Sequence, residues 1–269
     1  MHNQSPMHIQ ALALILALPA AAQTPADLVR QAIDAARTAK TSQTRFTYFD
    51  LEHNQNRDLK GKLFFDRTTL YEDTYIAGLP YKRVVEFNGK PLTGDALARE
   101  QARFDEAVAQ RKGLDTAARA KLIHQKLVDT KLHLTDLLTP AYTLTELREE
   151  TLPQLTGPAL LTHVIDATPA AKTATKHFEL WIADKNPVIL RMTFEVVDDE
   201  LDMLHGSNTR ADYQLIDGIP LTTHEATRLF YPNNGKTITV DVEHTYTRYR
   251  RFNTSAHIVE DATKPLREP

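Results

Sequence analysis

The sequence predicts an α+β protein built on a wide, curved antiparallel sheet with helices packed on it. Two observations carry this. From Thr143 onward the chain is almost all strand-like segments joined by short turn signals, and between Thr93 and Thr130 the apolar period changes to that of helices. Successive hairpins build a meander, and a meander with helices between its early strands is α+β.

The first helix opens at Pro25 and Asp27 and runs to about Ser42, with Leu28, Ala32, Ile33 and Ala36 forming a modest stripe and Arg30, Arg37 and Lys40 facing outward. Arg45–Glu52 alternates, placing Phe46, Tyr48 and Asp50 on one side and Thr47, Phe49 and Leu51 on the other; Lys60–Leu70 is a second strand and Tyr81–Phe87 a third. Asn88-Gly89 is a strong hairpin signal, but only Lys90-Pro91-Leu92 follows, so the turn leads either to a stub of strand or directly into the helices. Ala96, Leu97, Phe104 and Val108, then Leu122, Ile123 and Leu127, recur at helical spacing on either side of Gly113, with Asp115 as a cap. This insert is polar around most of its circumference and is expected to lie across the sheet on one thin apolar stripe.

Thr143–Thr151 and Leu160–Ala167 are the next strands. The clearest hairpin then joins His177–Ile182 to Val188–Val196 through Ala183–Pro187. Strict alternation on its return strand sets Val188, Leu190, Met192, Phe194 and Val196 on one face, with Ile189, Arg191, Thr193 and Glu195 on the other. Arg210–Ile216, the turn Asp217-Gly218, Leu221–Tyr231, the turn Asn233-Asn234-Gly235 and Lys236–Tyr249 complete the meander, with Ile238, Val240, Val242, His244 and Tyr246 sharing a face.

Export is read from the N-terminus. Ile9 to Leu18 is apolar apart from Gln10, and Pro19 precedes Ala20-Ala21-Ala22, the pattern of a secretory signal peptide cleaved near Ala22. The segment is shorter than the roughly 20 apolar residues that span a bilayer. Its first eight residues lack Lys and Arg, and both Met1 and Met7 stand as start sites; the bland alternative is a buried N-terminal helix. Absence of cysteine excludes disulfides, thiol chemistry and a lipid-modified N-terminal cysteine. The expected product is a soluble periplasmic or secreted species: residues 1–22 as leader, 23–255 as one domain with the helical insert near 93–130, and 256–269 as a loose tail. With 32 basic against 35 acidic side chains, there is no electrostatic case for a nucleic-acid partner.

Catalytic signals are thin. No G-x-S-x-G surrounds any of the four serines, and there is no phosphate loop, dinucleotide fingerprint or H-E-x-x-H. His163, His177, His224 and His244 fall in strands, where zinc would need three of them to converge; the ordinary strand histidine is merely hydrogen-bonded. The acidic run Asp198, Asp199, Glu200 and Asp202 offers hard oxygen ligands for calcium, but without a glycine to curl the loop it reads as a solvated connection. No catalytic residue, metal site or cofactor is therefore assigned. By strand parity, Phe178, Leu180, Ile182, Leu190, Met192, Phe194, Ile238, Val240 and Val242 form a continuous apolar face. It is either simple core or, if the helices fill it only partly, the lining of a lipid pocket to which Met192 adapts.

The leader followed by a helix, the hairpin from Phe178 through Trp181, Asp184 and Pro187 to Met192, and the segment Tyr213–Leu221 with Asp217-Gly218 and Pro220 resemble the periplasmic lipoprotein-carrier superfamily, which includes the outer-membrane lipoprotein carrier and receptor proteins. The resemblance covers mainly residues 160–250 and rests on motifs of low specificity. It implies an unclosed β-barrel whose concave face is covered by helices, and a non-catalytic role in binding lipid or the acyl chains of lipoproteins during outer-membrane lipoprotein sorting. Transient contact with a membrane surface would follow from that role. Residues 76–93 and the charged helices behind them exceed what a minimal carrier requires. The rival expectations are an envelope protein–protein interaction module without a small ligand, docking through the helical insert or an edge strand, and an uncharacterised hydrolase or metal enzyme.

Overall fold

Thr24 starts the first helix because its hydroxyl oxygen accepts from the Asp27 backbone N–H, while Pro25 fits the first turn and Asp27 complements the helix dipole. In the computed structural model, which describes residues 23–128, 134–200, 203–233 and 236–251, this is α1 (Pro25–Gln43). The expected leader 1–22, the whole expected tail 256–269, the last residues of the expected insert and the tip of the Asn233-Asn234-Gly235 turn lie outside the described residues. Four strand segments and two helices follow: β1 (Phe46–Asp58), β2 (Leu63–Ile76), β3 (Leu79–Phe87), β4 (Lys90–Pro91), α2 (Gly94–Lys112) and α3 (Thr116–Val128). A 3₁₀ turn at Leu134–Leu138 leads to β5 (Tyr142–Leu152), β6 (Leu160–Pro169), β7 (Lys176–Ala183), β8 (Ile189–Val196), β9 (Asn208–Ile216), β10 (Ile219–Asn233) and β11 (Lys236–Arg251).

These strands form one antiparallel sheet in the order β4-β3-β2-β1-β11-β10-β9-β8-β7-β6-β5. Every neighbour is sequential except β1–β11, which zips the two ends of the chain together over the longest ladder in the sheet. The sheet is curved and does not close, since β4 and β5 are both edges. The β2–β3, β3–β4 and β9–β10 turns each place two successive residues at positive φ: Ala77-Gly78, Asn88-Gly89 and Asp217-Gly218. That is the two-residue turn whose twist matches the flanking strands. Asn88-Gly89 thus does close a hairpin, with β4 as its two-residue return.

α1 packs its buried stripe of Leu28, Val29, Ala32, Ile33 and Ala39 on the inner face of the sheet. With Leu137 from the 3₁₀ turn it covers Ile165, Ala167, Phe178, Leu180, Ile182, Ile189 and Met192, and Phe194 packs against this cluster. A second, smaller cluster lies on the outer face: Leu152, Val164, Trp181, Ala183 and Leu190, flanked by Leu160, Val188 and Leu215. The connection after β5 reaches β9 there, as Gln154 accepts from the Leu215 N–H and Gln214 bonds both Pro153 and Leu155.

The helical insert meets the sheet in part through its expected apolar stripe, since Phe104 packs on Tyr81 at 5.4 Å and Ile123 lies against Gly78, but its hydrogen bonds to the sheet come from polar residues. α2 runs along the open side of β3 and is held there by polar side chains. The Glu100 carboxylate accepts from the Val84 N–H at 3.2 Å, Arg103 donates to the Lys82 carbonyl at 2.6 Å, and Arg111 donates to the Leu79 carbonyl at 2.9 Å. Unpaired strand-edge groups invite pairing with another chain, and here a helix satisfies them. Glu100 is buried in the process and bound by Arg103 through both oxygens. The other edge, β5, carries Glu146, Arg148, Glu149 and Glu150 and a register shift between Glu146 and Arg148, both devices that discourage edge pairing. No helix among the described residues is long and apolar enough to cross a membrane.

Candidate functional site on the inner face

The apolar face expected from strand alternation divides into three parts. Phe178, Leu180, Ile182, Met192 and Phe194 lie under α1 and the 3₁₀ turn, where they are packed as core. Leu190 does not join them. The β7–β8 register shifts between Trp181↔Arg191 and Ile182↔Ile189, so Leu190 is the extra residue of a bulge. The parity of the strand reverses there, and Leu190 and Val188 turn to the outer face beside Trp181 while Ile189 takes the inner position. Ile238, Val240 and Val242 do share the inner face, through the rung Phe178–Phe194–Thr209–Thr227–Val242. They sit beyond the α1 cluster and are only half-buried. Leu229 opposes Val240, Tyr231 opposes Ile238, and Phe65 lies across Asn56 from Val240, which continues the strip along the long β10–β11 hairpin.

Sequence reasoning missed the most unusual feature of this face. Where β1, β2, β3 and β11 meet, the inward positions carry charge. Asp50 is fully buried, with Lys82 Nζ at 2.5 Å and His244 Nδ1 at 2.8 Å. Burial disfavours the Asp50 carboxylate, but its bonds to His244 and Lys82 outweigh this and hold its pKa below the usual value. The same contact raises His244 and Lys82 against the opposing effect of their own burial. Lys82 also sits 4.5 Å above the Tyr71 ring, and His244 stacks on Tyr246 at 5.8 Å.

Asp73, the register partner of both Tyr48 and Lys82, is treated differently. It is 9 % exposed and its buried Oδ2 has no hydrogen-bond partner. Burial pushes its carboxyl up to about 7, with Asp50 adding to the rise and Lys82 and His244 opposing it. Between the end of α1 and the sheet lies a cavity of about 110 Å³ lined by Tyr48, Tyr75, Tyr246 and Tyr249, with Gln43, Leu221 and Thr222; Asp73 is not part of this lining and reaches the cavity through its register partner Tyr48. The ring of Tyr48 is 5.8 Å from Tyr246 and 5.0 Å from Tyr249. A bulge at Arg248, whose φ is 54°, brings Tyr249 to this side, and its hydroxyl donates to the Thr222 carbonyl.

The four strand histidines do not converge. Each pairs with a carboxylate: His163 with Glu146 and Asp184, His177 with Asp166, His224 with Glu243, and His244 with Asp50. Among the described residues, Glu146, Glu149 and His163 are close enough to share an ion, at an exposed position on the β5 edge. The acidic run is used internally: Glu200 accepts from Thr175 and Lys176, and Asp199 accepts from the His205 N–H. Asp202 lies outside the described residues.

No family of known sequences matches this chain, and no curated protein does. Among solved structures, a domain described as outer membrane lipoprotein-sorting from Vibrio parahaemolyticus aligns with a TM-score of 0.34 and 11 % identity, covering 85 % of this chain and 95 % of its own. A DUF1329 family protein from Desulfovibrio piger gives 0.32 and 9 %, covering 87 % and 93 %. The Pseudomonas aeruginosa MucA/MucB complex gives 0.25 and 10 %, covering 83 % and 94 %. Likenesses this distant transfer no residue's role to this chain, so its function has to be read from its own side chains.

Proposed function

We propose that this chain is a non-catalytic, exported protein of the cell envelope that binds an acyl chain, of a lipid or a lipoprotein, along the inner face of its open sheet. The observation that carries the proposal is the apolar strip Val242, Val240 and Ile238, with Leu229 and Phe65. It continues the face of the packed core past the end of the α1 cover and is left half-buried. A sheet face with no further role is expected to turn polar where its covering helix ends; here β10 and β11 keep two facing apolar pairs, Leu229–Val240 and Tyr231–Ile238, flanked by the polar Thr227 on β10 and by Asn54 and Asn56 on β1. Phe194, partly buried against the core, shares a rung with Val242 and links the strip to the face under α1. The leader-like N-terminus supports export, and the absence of cysteine agrees with a species released from the membrane.

The test is to extract the purified protein with organic solvent, analyse the extract by mass spectrometry, and measure uptake of a fluorescent fatty acid. A bound lipid, or uptake that falls at least tenfold in Val240→Glu, is expected. An empty extract together with no uptake by the wild type would sink the reading. The rival, a module that docks a protein through its insert or an edge strand, draws less from the geometry. α2 spends its polar face on the β3 edge, and β5 is bulged and charged.

A further inference from the structure

The tyrosine-walled cavity lies apart from the apolar strip, and its chemistry is of another kind. Its volume of about 110 Å³ is too large for a single water, whose share of the liquid is about 30 Å³, and somewhat smaller than the cavity of about 150 Å³ that accepts benzene. A group of a few heavy atoms fits it. Its walls are aromatic on both β1 and β11, and the side chains around it carry unequal charge. Asp50, Asp73 and Glu225 face this region, against Lys82 and His244, and both cations are engaged by Asp50. Asp73 is left as the carboxyl with a buried, unpartnered oxygen. Carboxylates act on all four tyrosines after burial: Asp73 on Tyr48, Tyr75 and Tyr249, and Glu225 and Asp50 on Tyr246. Burial and these carboxylates together hold the four phenols neutral, so each presents an uncharged aromatic face to the cavity. Aromatic faces attract an organic cation, and an unpartnered carboxyl next to them in the ladder supplies a counter-charge.

We propose that this cavity binds a small alkylammonium group, lodged among Tyr48, Tyr75, Tyr246 and Tyr249, with Asp73, next to Tyr48 in the ladder and outside the lining itself, as its counter-charge. The group belongs either to a free amine or to a lipid headgroup, and both present the same cation. Binding requires the Asp73 carboxylate. Since the empty site holds this carboxyl near 7, entry of a cation at pH 7 expels a proton from a substantial fraction of the molecules. The groups that face Asp73 are Lys82 from β3, Asp50 and Tyr48 from β1, Tyr75 from its own strand, and His244 and Tyr249 from β11. Lys82 and His244 oppose the cation, and their engagement with Asp50 is what leaves Asp73 free to receive it.

Calorimetric titration of the full protein with choline and with ethanolamine tests this, using 3,3-dimethylbutanol as the neutral isostere of choline. One amine is expected to bind at least tenfold more tightly than the isostere, with proton release at pH 7 seen as a heat that changes with the ionisation enthalpy of the buffer. Asp73→Asn and Tyr246→Leu are each expected to weaken binding about tenfold; the proton release is read on the wild type and does not depend on either variant folding. Binding of the free amines identifies a soluble ligand, and binding only to vesicles bearing phosphocholine or phosphoethanolamine headgroups identifies a lipid source; both uphold the site. No binding in any of these forms, equal binding of the isostere, or full affinity in Asp73→Asn would overturn it. Fatty-acid uptake at the apolar strip is a separate measurement, so a protein that takes up fatty acid and ignores both amines upholds the acyl reading and rejects this one.

Discussion

Asp73→Asn is expected to reshape the dependence of stability on pH. The wild-type carboxyl sits near 7 in the folded chain against 3.8 when unperturbed, so the folded state keeps a proton that the unfolded chain gives up. The cost of burying this acid grows as pH rises through the window between those values and is complete above it. At 1.36 kcal/mol per pK unit it amounts to roughly 4 kcal/mol at pH 8, roughly 1.5 at pH 5 and almost nothing at pH 3. The amide removes that dependence but adds buried donors of its own, at about 1–3 kcal/mol. The variant should therefore be the more stable protein at pH 8, by about 2 kcal/mol, and equal or slightly weaker at pH 5. The offset depends on how the amide finds partners; the change of about 2.5 kcal/mol between the two pH values does not. Urea denaturation of both proteins at pH 5 and pH 8 measures it. Parallel pH profiles for wild type and variant would refute the placement of Asp73 as a buried, unpaired acid.

Glu100→Ala removes the acceptor for the Val84 N–H and the partner of Arg103. The β3 edge should open and the protein self-associate with rising concentration, read by size-exclusion chromatography with light scattering; a strictly monomeric variant of unchanged stability would show that α2 is not needed there. The bulge at Leu190 is tested with the chain's single tryptophan. Leu190→Ala should shift Trp181 emission, while Met192→Ala, on the opposite face, should leave it in place at a cost of about 2–5 kcal/mol in stability; the reverse pattern would restore simple alternation to the strand.

Much of the architecture was legible because it depends on local signals. The helix start at Pro25 and Asp27, the Asp217-Gly218 turn and the alternation of β11 each act within a few residues. What was not legible depends on neighbours distant in sequence. β1 and β2 extend to Asp58 and Ile76, beyond the ends read from alternation, because polar residues such as Asn54 and Asn56 are held in the ladder by pairing with β11 and β2 rather than by their own propensity. The Ala77-Gly78 turn was invisible since alanine rarely adopts positive φ. Leu190 was misplaced because a bulge is a property of a pair of strands, and alternation within one strand carries no trace of it. The edge role of α2 was hidden in Glu100, Arg103 and Arg111, which read as ordinary surface charges of a polar helix.

The charged cluster did leave a signal, and it bears on what the inner face is for. β1 reads Phe46, Tyr48, Asp50 and β2 reads Tyr71, Asp73, Tyr75 at alternate positions, so each strand sets an acid among the aromatics it turns inward. A sheet shaped by stability alone would place an apolar residue at both sites, since a buried ion pair seldom outperforms well-packed hydrophobic side chains and an unpaired acid is worse. Asp50 is bonded by both Lys82 and His244, whereas Asp73 has a buried oxygen without a hydrogen-bond partner and burial outweighs the pull of those cations on it. Departures from local consistency of this kind concentrate where a protein acts on something else. The same substitution that relieves the cost should also abolish the counter-charge for a bound cation. Asp73→Asn is thus expected to yield a protein that is more stable above neutral pH and poorer at binding amines. A gain in stability with unchanged binding would leave the acid without a function, whereas the paired outcome would tie its burial to the cavity beside it.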